Sequence, residues 1–110
     1  MKIAISSTGN TPEACIDKRF ARCSYFVIYN KETGGVEYLP NPAKDAEDGA
    51  GPTAVQLVAG RQVKKIISGE FGLKIKPLLD SLKIQMIVIQ EEKTVGEVMA
   101  MLDFEVKGQS

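Results

Sequence analysis

The sequence predicts an α/β domain in which helices cover both faces of a mixed sheet, and three observations carry that expectation. First, "YFVIYN" and "VEYL" flank the turn residues "KETGG" and read as an antiparallel hairpin, Tyr25–Asn30 with Val36–Leu39. Second, strand-like and helix-like segments alternate through the second half, a pattern that lays helices over a sheet. Third, "IQMIVIQ" is a nearly continuous apolar run, as expected of a strand covered on both faces.

Each element follows in order. "KIAIS" alternates weakly and reads as a first strand over Lys2–Ser6. "SSTGNTPEACIDKRFARCS" has no sustained period and reads as a long loop; long ordered loops in compact domains usually carry function. After the hairpin, "PNPAKDAEDGAG" is a second long loop. Gly51 is the expected cap of the next helix and Pro52 its first residue, where the missing N–H costs nothing; Val55, Val58 and Ala59 share a face. "KKIIS" is a short strand. "GEFG" then turns into a helix whose apolar face is Ile75, Leu78, Leu79 and Leu82, with Pro77 confined to the first turn. Finally "TVGE" is a capping box, Thr94 with Glu97, opening a helix that buries Val95, Val98, Met99 and Leu102. The tail after Leu102 is expected to fray at its end, with Phe104 and Val106 as docking residues.

A chain of 110 residues is enough for one domain, 1–110, with a real core. Fourteen basic and fourteen acidic residues balance, which disfavours nucleic acid as a partner, because phosphates call for a basic surface. No apolar run approaches the roughly 18 residues of a membrane span, so no membrane partner is expected. The start lacks a signal-peptide pattern, and the cytoplasm is the expected location. An enzyme is not expected. There is no histidine to serve as general base and no serine in a nucleophile elbow. The strands "KIAIS" and "IQMIVIQ" hold no carboxylates for a two-metal nuclease.

The chemistry-bearing stretch is "EACIDKRFARCSYF". Its thiols, Cys15 and Cys23, flank Lys18, Arg19 and Arg22, cations that favour thiolates and balance an anionic cluster. Metal ligation by Cys15 and Cys23 stands beside three other readings: packing of Cys23, a short-loop disulfide, and a redox switch. One chain supplies too few thiols to enclose a cluster. Carboxylates such as Glu13, Asp17 or Glu47, a second chain, or a cofactor bringing its own sulfides would have to complete the shell. Arg22 is the best candidate for pairing with an anion, while Phe20, Tyr25 and Phe26 either line a hydrophobic pocket or join the core. Gly49 and Gly51 sit at a helix start, where amides and dipole attract anions.

The opening "MKIAIS", with "RFARCSYFVIY", "NPAKDAEDGAG" and "ISGEFG" in that order, resembles the dinitrogenase iron–molybdenum cofactor biosynthesis family, the nitrogenase accessory factor-like proteins, over residues 1 to about 102. The resemblance implies a three-layer α/β/α, ribonuclease H-like fold. Its five-stranded mixed sheet has the order 3-2-1-4-5, with strand 2 antiparallel to the rest. It implies a protein that binds, carries or helps assemble an iron–sulfur or iron–molybdenum cluster together with cluster-assembly proteins. The cluster would sit at Arg19, Phe20, Arg22, Gly49, Gly51, Gly69 and Gly72, with "SGEFG" beside the switch point between strands 1 and 4. Where the family commonly carries histidines, this chain has Arg19 and the pair Glu47–Asp48. A metal-free interaction module of a cluster-assembly system is the alternative.

Overall fold

The structure is a computed structural model that describes the backbone of residues 1–108 and the side chains of residues 1–103. Its strands are β1 (Lys2–Ser7), β2 (Tyr25–Asn30), β3 (Val36–Pro40), β4 (Val63–Ser68) and β5 (Gln85–Val88). Its helices are α1 (Ala50–Ala59), α2 (Ile75–Ser81) and α3 (Val95–Gly108). One sheet runs β3-β2-β1-β4-β5. β2 is antiparallel to both neighbours, while β4 is parallel to β1 and to β5. The expected strand order and the antiparallel second strand are therefore present.

Strand alternation divides the core into two layers. Ala4, Phe26, Ile28 and Ile66 pack with Ala54, Val55 and Val58 of α1 and with Ile75 and Leu79 of α2. Ile3, Ile5, Val27, Tyr29 and Ile67 face the other way, against Val95, Val98 and Leu102 of α3. At the start of α3 the capping box closes: the Thr94 amide donates to Glu97 Oε1 at 2.9 Å, and the Glu97 amide donates to Thr94 Oγ1 at 3.1 Å. The Thr94 amide, and after it the Thr94 hydroxyl, hold the Glu97 carboxyl below its ordinary range.

Four expectations need correction. α1 begins at Ala50, and its cap is Gly49 at φ 72°, a left-handed conformation that glycine adopts without strain, so Pro52 is the third helical residue. In α2 only Ile75 and Leu79 are buried, while Leu78 and Leu82 face solvent. A seven-residue helix laid on an edge of the sheet has room for one narrow stripe. "IQMIVIQ" contributes only the four residues of β5, at the sheet's edge, where Met86 and Ile87 are half-buried and Val88 is exposed. An apolar run marks a strand without fixing its place in the sheet. Last, α3 continues past Leu102 to Gly108, where a tail was expected; the docking of Phe104 and Val106 concerns side chains outside the described residues.

Candidate functional site

Residues 8–24 leave β1, cross the ends of β1 and β4, and return into β2. On the α3 side this loop is stitched to the start of α3: Ile16 N donates to Lys93 O, Val95 N to Ala14 O, and Gly96 N to Pro12 O, at 2.8–2.9 Å. It crosses at Asp17, which is buried. The Asp17 amide donates to Ser6 O at 2.8 Å, its carbonyl accepts from Ser6 Oγ at 2.9 Å and from the Gly69 amide at 3.2 Å, and its carboxylate accepts from the Arg19 amide at 2.8 Å. Ser6 Oγ and Ser68 Oγ complete the cluster at 2.9 Å. A buried acid so satisfied costs little and fixes the crossing. No periodic signal marks Ile16 or Asp17, since both lie in a polar, aperiodic stretch.

This crossing fills the switch point. A Cβ on Gly69 would stand 2.5 Å from Lys18 Cα, so the backbone of the first loop occupies the crevice expected there, and Gly69 faces protein. Phe20 is likewise a core residue, its ring centroid 5.3 Å from that of Phe26 and 5.5 Å from that of Phe71. Arg19 is exposed, 3.5 Å from the Asp17 carboxylate.

The two thiols lie on opposite faces of the sheet. Cys15 is exposed and adjoins Ile16 and Thr94 on the α3 side. Cys23 is 0 % exposed in the α1/α2 layer. Burial pushes the Cys23 thiol up to about 12, so it is a protonated packing residue at neutral pH. As a ligand it would have to be both uncovered and deprotonated. Both cysteines are free. Among the described residues, no three His, Cys, Asp or Glu side chains gather as a metal-ligating group.

The sign of the Cys23 shift gives a test. In the unfolded chain the thiol ionises near 9, whereas in the fold it keeps its proton to about 12. Stability from this group is complete below pH 9 and is lost as pH rises from there toward 12, at up to about 1.4 kcal/mol per pH unit. Cys23→Ala should flatten that decline in urea titrations between pH 8 and pH 11; an unchanged slope would remove the assignment.

The long loops do converge, beside the switch point on the α1/α2 side. The Asn41 side-chain amide donates to Ala21 O and Cys23 O, both at 2.9 Å, and the Asn41 amide donates to Ser24 O at 3.0 Å. Arg22 Nη1 donates to Lys44 O at 3.2 Å and also to Ala46 O. Between the loops opens a recess of about 330 Å³, lined by Ala21, Arg22, Gly49–Pro52, Gly72, Lys74 and Ile75. Gly51 keeps it compact, since a Cβ there would stand 2.3 Å from Ile75 Cδ1.

The chemistry of the lining is cationic. Arg22 spends Nη1 on the loop, its Nε and Nη2 find no acceptor among the described residues, and Lys74 adds a second charge. Gly49 caps α1 with no side chain; the first helical bond runs from Thr53 N to Gly49 O, and Pro52 has no N–H. Among the described residues no hydrogen bond takes up the Ala50 and Gly51 amides. Arg22, Gly49, Gly51 and Gly72 thus meet here, while Arg19, Phe20, Gly69, Cys15 and Cys23 stand outside. Lys74, Asn41 and Ile75 were missed; a lone lysine or asparagine in a loop carries no motif.

The chain is thus a small α/β protein with a cationic recess between its two long loops. The chain belongs to the dinitrogenase iron-molybdenum cofactor family, whose model matches residues 1–103. That family is one of accessory proteins of metal-cluster assembly and carriage, not of catalysts. The fold is similar to the apo form of the orange protein from Desulfovibrio gigas, at 28% identity and a TM-score of 0.85 over 94% of this chain and 88% of that one. It is similar to a Thermotoga protein named as a candidate NifB protein, at 31% identity and a TM-score of 0.81 over 94% and 87%. A candidate dinitrogenase from Methanocaldococcus jannaschii shares the fold alone, at 18% identity and a TM-score of 0.65 over 98% and 89%. No curated protein sequence matches the chain. No helix among the described residues is long and apolar enough to cross a membrane.

Proposed function

We propose that this protein carries a preassembled anionic metal–sulfur cluster of iron–sulfur or iron–molybdenum type in the recess between its two long loops. The cluster brings its own sulfides, and the protein holds it by charge and N–H donation. The observation that carries this reading is the convergence of Arg22, Lys74 and the α1 start, which no side chain caps, on one recess, with no gathered ligand set among the described residues. Sulfide is a good acceptor for such donors, and a helix start favours negative charge. Cys15, exposed but on the far face, is then dispensable for retention. Donors and acceptors of the cargo are cluster-assembly proteins, and the work is cytoplasmic. The strand order, with its antiparallel second strand, supports the ribonuclease H-like description of the fold.

The test is anaerobic loading with iron and sulfide, and separately with a preformed molybdenum–iron–sulfur cluster, followed by gel filtration and metal analysis. Loss of a charged hydrogen bond worth about 1.5–3 kcal/mol predicts that Arg22→Ala retains cargo at least about tenfold less well, and Arg22→Ala with Lys74→Ala less still. Cys15→Ser should load like the parent. Metal lost on Cys15→Ser but kept by the double variant would move the site to the thiol.

A further inference from the structure

Beside the recess, and sharing Gly72 with it, lies a second groove of about 320 Å³ between α2 and β5, lined by Phe71, Gly72, Leu73, Lys76, Met86 and Val88. Leu73 is 94 % exposed and Val88 53 %, and Leu78 and Leu82 add apolar surface along α2. Such large side chains clustered in the open mark an interaction surface. β5 is also the last strand of the sheet. Because Ile89 N donates inward to Ser68 O, strand alternation turns the backbone groups of Met86 and Val88 to the open edge.

Charge narrows the occupant. The groove's lining holds Lys76 and no carboxylate, and Lys74 lines the adjoining recess, within a chain whose net charge is zero. Neither lysine is in an ion pair among the described residues. Glu91 and Glu92 follow the strand, outside the groove's lining. Two copies joined face to face here would set lysine against lysine, so the surface is poorly complementary to itself.

We infer that the α2–β5 groove docks an extended, acidic and apolar segment of a partner protein, which adds a strand to β5 and lies against the mouth of the recess. Backbone pairing along the edge supplies affinity, and alternate apolar side chains enter the groove. The lysines select acidic flanks and speed encounter. This groove adjoins the cargo recess at Gly72, and its test uses the full chain without metal, so its outcome is independent of cluster loading.

The probe is a short synthetic peptide with alternate valines and glutamates at both ends, titrated into labelled protein and followed by amide chemical shifts. Shifts should be confined to residues 71–76 and 85–89 and weaken with added salt. Binding should fall about tenfold in Lys76→Glu and in Leu73→Asp. Both residues are exposed, and thermal unfolding should show the two variants as stable as the parent. Equal binding of the same peptide with lysines for glutamates, or shifts scattered over other faces, would overturn the inference. So would shifts in these residues on concentrating the protein alone, which would make the occupant a second copy.

Discussion

Phe20→Ala is expected to destabilise the protein by about 3–5 kcal/mol, the range for truncating a buried aromatic ring. Phe20 belongs to the first loop, yet its ring is 2 % exposed and closes a cluster with Phe26 of β2 and Phe71 of the β4–α2 connection. The substitution therefore removes more than contact area. It releases the segment that carries Ala21 and Arg22 to the wall of the recess. Cys23, three residues on in the same cluster, provides an independent readout. In the parent its thiol should resist a thiol reagent while exposed Cys15 reacts at once. In Phe20→Ala the second thiol should become reactive under native conditions, as local opening falls below global unfolding in free energy. Phe20→Leu, which keeps most of the apolar volume, should cost much less and leave Cys23 protected. A loss below about 1 kcal/mol with Cys23 still unreactive would show that the ring does not hold the loop.

The contrast between Phe20 and the hairpin shows what the sequence discloses. The pair Tyr25–Asn30 and Val36–Leu39 was legible because β-rich runs flank a glycine turn, and the register follows from that turn. Thr94 and Glu97 were legible because a capping box is a local arrangement, complete within four residues. The site was legible only in part. Arg22, Gly49, Gly51 and Gly72 were named as candidates, but the convergence that makes them neighbours depends on Asn41 tying one loop to the other. Nothing local distinguishes that asparagine. Nor does spacing show that a loop crosses the sheet between two cysteines, placing Cys15 on the α3 side and Cys23 on the α1/α2 side. Charge and burial compete at Asp17 for the same reason: a polar residue reads as exposed until the backbone donors that satisfy it are in place.

Gly69→Ala is the second large effect, and it tests that crossing directly. The added methyl would lie 2.5 Å from Lys18 Cα, 3.0 Å from its Cβ and 3.1 Å from its carbonyl oxygen. The nearest of these is a backbone atom, so no flexible side-chain end can swing away. Residue 18 cannot yield alone either, because Asp17 on one side is bonded to Ser6 and Gly69, and Arg19 on the other is bonded to the Asp17 carboxylate. Overpacking of this kind costs about 1–3 kcal/mol, and each hydrogen bond lost from the Asp17 cluster adds about 0.5–1.5 kcal/mol. Urea denaturation should show a lower midpoint at an unchanged slope, since the same surface is exposed on unfolding. Hydrogen exchange should quicken first at the Asp17 and Arg19 amides. Gly72→Ala is the matched control: its Cβ would meet only Ile75 Cγ1, at an ordinary 3.8 Å, and its cost should stay within about 0.5 kcal/mol. Equal stability of the two variants would mean that the first loop does not lie across the ends of β1 and β4, and the recess beside it would lose the wall that carries Arg22.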